Sequence, residues 1–209
     1  YTCASIQVLI GAIGFRSFSF ENRLLESLAF FICSPIVQDS ATAVKNVLDA
    51  IGTFFVYKDF VATPLASRLV SSLVALGIRV AAEELRDTFY VARALRWLSK
   101  SMIGASACID AHAPALLVAL ALYRPQSGSS AYYIAAAICS IAVIPSGLAM
   151  FFNAGAQPAL LSLSALPQVQ DDANAAASVA QALQRFANRR SADLQRLRQS
   201  VLRQDGPGR

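Results

Sequence analysis

The residues best placed to do chemistry are Cys108, Asp110 and His112, a C-x-D-x-H cluster built around the chain's one histidine. Residues two apart do not share a helical face. Zinc needs three or four ligands in a closed set, and no second Cys/His cluster stands elsewhere to complete one. A haem held by two histidines of this chain is excluded. His112 has three remaining roles: one axial ligand to a haem or chlorophyll shared with another subunit, a polar helix-packing or proton-accessible site, or an ordinary interfacial residue. Serine and cysteine nucleophiles need a base, and the only histidine lies in an apolar segment. The carboxylate pairs Glu83-Glu84 and Asp171-Asp172 are adjacent in sequence, so on a helix they diverge by about 100°. Neither G-x-G-x-x-G nor G-x-x-x-x-G-K-[ST] occurs, so nucleotide binding has no support. The sequence predicts no catalytic residue, no metal site and no cofactor. Asp110 and His112 are left as a polar site inside an apolar stretch.

The four cysteines (Cys3, Cys33, Cys108, Cys139) are far apart in apolar surroundings and read as small buried hydrophobes. The chain has 209 residues, 56% of them hydrophobic and only 15% charged, where a soluble domain carries about 25% charged. Mean hydropathy is +0.49. Alanine occurs 38 times, which favours helices packed at close range. This excludes a disordered chain, a collagen and a disulfide-dense module. The net charge of +5 resides in the tail, where residues 173–209 hold seven arginines against Asp193 and Asp205. With few aromatics among those arginines, nucleic acid is not an expected partner.

These groups must be positioned by helices. Tyr132–Phe152 is 21 residues without a charge, the length that spans a hydrocarbon core. Ile103–Tyr123 is a second apolar segment, divided by Pro114, and Arg124–Ser130 is a polar turn between the two. Residues 103–152 are therefore expected to form a transmembrane helical hairpin. Small-residue stripes, Ala111/Ala115/Ala119 and Ala131/Ala135/Cys139, offer it close-packing faces. Ahead of it, residues 63–102 read as a long amphipathic helix, or two in series, opened by Thr63-Pro64. Arg79, Arg86, Arg93 and Lys100 recur every seven residues along it. They form a solvated face, or a face laid on anionic lipid or an acidic partner. Residues 1–62 are expected to be short apolar or interfacial helices, and residues 153–172 a linker. Residues 173–209 are a basic amphipathic helix and tail, whose stripe of Val179, Leu183, Phe186, Leu194 and Leu197 is expected to contact a partner.

The fold class expected is all-α, a helical membrane protein. A hydrophobic chain without chemistry, bearing amphipathic helices that need partners, reads as a non-catalytic accessory or structural subunit of a multi-subunit membrane complex. Composition and the absence of an initiator methionine point to an energy-transducing complex of the mitochondrial inner membrane, the respiratory chain or ATP synthase. The alternatives are a pore-forming or transport protein, or a plastid photosynthetic subunit in a thylakoid or other organelle membrane. Other subunits and anionic lipids are the expected partners, and bound structural lipids fit the same reading.

Overall fold

A computed structural model of the protein describes residues 18–34, 40–57, 64–82, 88–123 and 127–204. Every regular element among them is a helix: α1 (Phe18–Cys33), α2 (Ala41–Tyr57), α3 (Pro64–Ala82), α4 (Thr88–Leu98), α5 (Met102–Asp110), α6 (Ala113–Leu122), α7 (Gly128–Ile141), α8 (Pro145–Ala154), α9 (Ala156–Ser164), α10 (Pro167–Gln170) and α11 (Ala173–Gln204). The all-α expectation is met.

Local chemistry explains where the helices begin. Ser101 caps α5 by accepting from the Gly104 amide at 3.1 Å, and Ser127 caps α7 through the Ser130 amide at 3.2 Å. Asp172 Oδ1 accepts from the amides of Asn174 and Ala175 at 3.0 and 3.1 Å, anchoring the start of α11. Prolines occupy the first turns of α6, α8 and α10, where a missing N–H is harmless.

Packing follows a relay. Helix α1 lies on α3, α2 on α4, α4 on α7, and α7 on α11; α6, α8 and α9 pack together beside this row. Close approach of α4 and α7 is possible because Ala92, Ala94, Ala131, Ala135 and Ala137 are all fully buried. Larger side chains fill the spaces between helices, among them Phe55, Leu73, Leu95, Phe151 and Phe186.

Several expectations change. The uncharged stretch 132–152 is not one helix: it breaks at 142–144 into α7 and α8. Pro145 is the reason, since its ring forces Ile144 into an extended conformation, φ −83° and ψ 128°. The other arm of the expected hairpin is also divided, α5 and α6 meeting at 83° around His112, which has φ +60°. No single described helix is long and apolar enough to cross a membrane; α5 and α6 reach that length and composition only as a bent pair. Residues 153–172, expected as a linker, contain α9 and α10, because Ala156, Ala159, Leu160 and Leu163 make a buried face at helical spacing. In the segment 63–102 two helices occur, α3 and α4, and residues 83–87 between them lie outside the described set. Helices α1 and α2 place Leu28, Ile32, Val47, Leu48 and Ile51 in the core. Of the two small-residue stripes, Ala131/Ala135/Cys139 is buried, whereas Ala115 and Ala119 are exposed.

Candidate functional site

The relay of helices leaves a polar cavity of about 320 Å³ where the end of α4, the start of α5, the middle of α7 and α11 converge. Helix α4 contributes Arg96 in its last turn, and Ser99 and Lys100 follow it. Ser101 and Met102 bring the N-terminus of α5 to the wall, so the partial positive charge of that helix end adds to the local field. From α7 come Tyr132, Cys139 and Ser140, and from α11 come Ser178, Gln181 and Arg185. Among the described residues that line the space, Arg96, Lys100 and Arg185 are cationic and none is a carboxylate.

The site is partly knitted together. Arg96 donates from Nη1 to Ser140 Oγ at 3.2 Å, and Ser140 in turn donates to the Ala136 carbonyl at 3.0 Å. Ser99, 2% exposed, donates to the Arg96 carbonyl at 3.2 Å. The Cys139 thiol approaches the Ser178 carbonyl at 3.8 Å, tying α7 to α11. Burial pushes this thiol above its ordinary value, while the neighbouring Arg185, and then Arg96, draw it back down. Arg185 Nε is buried and makes no hydrogen bond. Such an arrangement supplies donors and positive charge but no base beside a nucleophile.

The residues singled out in the sequence are placed differently. Asp110 and His112 are both exposed at the α5–α6 corner of this chain. The physical reason is the corner itself: α5 ends at Asp110, and His112 caps a new helix set by Pro114. The basic stripe is dispersed. Arg93 forms an ion pair with Asp49 that joins α4 to α2. Arg79 is half-buried near the end of α3, Arg86 lies outside the described residues, and Lys100 lines the cavity. In the α11 stripe, Val179 and Phe186 are buried and Leu183 partly so, against this chain's own α7 and α9 rather than an external partner. The side chains of Leu194 and Leu197 lie outside the described residues.

Sequence reasoning missed Arg96, Cys139, Ser140 and Arg185 as a group. The spacing of Arg96 and Lys100, four apart, was a signal for one shared face. Nothing in the sequence tied that face to Arg185.

The thiols differ enough to be told apart. Cys33 is exposed and donates to Ser72 Oγ at 3.1 Å, whereas Cys108 is fully buried and its pKa is pushed up to about 12 by desolvation. A maleimide at neutral pH is expected to modify Cys33 in the native protein and Cys108 only after unfolding; peptide mapping reads the result. The folded pKa of Cys108 exceeds the ordinary 9.0, so its contribution to stability is complete below pH 9 and is lost as pH rises toward 12.

No family model matches the chain, and no curated protein matches it. Among solved structures, a designed armadillo repeat protein aligns over 87% of this chain and 99% of its own, at 14% identity and a TM-score of 0.44.

Proposed function

We propose that this chain is a non-catalytic structural subunit of a larger membrane complex, seated in it through the surface of its charge-poor stretch. One observation carries the reading. Between Met102 and Gln170 the sequence holds two charged residues, Asp110 and Arg124. Within that stretch Met102, Ile103, Leu122, Tyr123, Val143, Phe152 and Leu161 are large apolar side chains left exposed. Single exposed apolar residues are ordinary, but this many on helices almost without charge favour a covered surface. Neighbouring subunits and lipid are the cover that matches its chemistry. The energy-transducing complexes of the mitochondrial inner membrane are the assemblies this reading names first, on composition alone.

The test is extraction of the protein from its own membrane in mild detergent, followed by native mass determination. Co-migration with a large assembly is expected, together with aggregation of the chain when it is purified alone without detergent. A monodisperse monomer in detergent-free buffer, absent from any larger assembly, would overturn the proposal.

A further inference from the structure

The cavity between α4, α5, α7 and α11 has a property that the packing of the chain alone does not explain. The guanidinium groups of Arg96 and Arg185 reach it from separate stretches of the sequence, and no carboxylate is among the described residues that line it. Like charges gathered in a part-buried space repel one another, more strongly than at an open surface because the local dielectric is lower. An anion in the cavity reverses the sign of that interaction. Arg185 Nε–H is buried without a hydrogen-bond partner, and a buried donor left unpaired in a native fold calls for an explanation. A ligand oxygen is one. The N-terminus of α5, capped by Ser101, opens onto the same wall and favours negative charge there.

We propose that this cavity binds a phosphate group, held by the guanidinium groups of Arg96 and Arg185. Guanidinium groups present paired N–H donors that match phosphate oxygens, which makes phosphate a better fit than a halide. The volume of about 320 Å³ exceeds what inorganic phosphate fills, so the phosphate is part of a larger molecule or is bound with water. Two sources share this chemistry, a soluble phosphate ester and a phospholipid headgroup. Met102 and Val143 line the cavity and are 60% and 48% exposed, an apolar lip on which an acyl chain could rest. The proposal stands apart from the membrane-complex reading, since a soluble phosphate ester would satisfy it equally.

The test uses the full chain with Arg96→Gln, Arg185→Gln and the double variant, and Arg190→Gln as an exposed cation outside the cavity. Thermal shift with glycerol 3-phosphate reads the soluble arm; flotation with phosphatidylcholine vesicles, with and without phosphatidic acid, reads the lipid arm. In the soluble arm, glycerol 3-phosphate raises the Tm of the parent and of Arg190→Gln, while either cavity variant binds about tenfold more weakly and the double variant does not respond. In the lipid arm, phosphatidic acid recruits the parent and Arg190→Gln, and the cavity variants lose that increment. Either pattern supports the site and identifies the source. Without ligand each cavity variant is checked for a single cooperative unfolding transition, and its response is read against its own ligand-free Tm, so lost packing is not mistaken for lost binding. The proposal is overturned if the parent responds to neither probe, if the double variant responds as the parent does, or if Arg190→Gln loses as much as the cavity variants.

Discussion

Phe186→Ala is expected to destabilise the fold by about 3–5 kcal/mol, the range for removing a fully buried aromatic ring. Phe186 is 1% exposed. Its ring meets Phe151 edge-to-face at 6.3 Å and Phe152 at 5.1 Å, so it couples α11 to α8. Loss of the ring removes apolar burial on both sides and leaves a cavity that the flanking helices cannot close. Thermal or urea unfolding measures the change, with exposed Arg190→Ala as the control, expected within about 0.5 kcal/mol of the parent. The comparison decides what α11 is for. A helix that serves chiefly as an arm for a partner would tolerate Phe186→Ala in the isolated chain and lose only association. A helix that closes this chain's own core loses stability first. Burial of Val179, Ala182 and Phe186 against α7 and α9 supports the second outcome.

The helices themselves were legible because alanine content, apolar periodicity and Thr-Pro or Asp-Asp starts all act locally. The C-terminal helix follows from its Asp-Asp start and apolar spacing; what lay beyond local reading was that Val179, Leu183 and Phe186 of its stripe pack on this chain's own helices. The same limit applied to Arg93. Its seven-residue spacing with Arg86 and Lys100 suggested one basic face, but spacing does not reveal that Asp49, 44 residues earlier, reaches across from α2. Charge-free length was the most misleading signal. Hydropathy over 132–152 counts apolar residues without asking whether the chain can remain straight, and an apolar stretch serves a broken core helix as well as a span. The cavity was illegible for a topological reason: Arg96 and Arg185 are brought together only when α7 packs between α4 and α11.

The break in that stretch can be tested by a substitution whose sign depends on it. In an unbroken helix, residues 141 and 147 stand about 9 Å apart along the axis, and Gly147→Ala replaces the poorest ordinary helix former with the best. Stability should then rise by about 1 kcal/mol, raising Tm by roughly 2–4 °C for a chain of this size. With the chain turned at 142–144, Gly147 instead faces the end of α7. A β-carbon there would lie 2.6 Å from the Ile141 carbonyl oxygen and 2.9 Å from Ile109 Cδ1. The first of these is backbone, which cannot rotate away as a side chain can, so the α7–α8 corner must open. Overpacking of this kind costs about 1–3 kcal/mol, and the backbone contact argues for the upper half of that range. Gly147→Ala is therefore expected to lower Tm by roughly 4–12 °C. A rise in Tm instead would mean that 132–152 runs straight, and the uncharged stretch would regain the length that a membrane span requires.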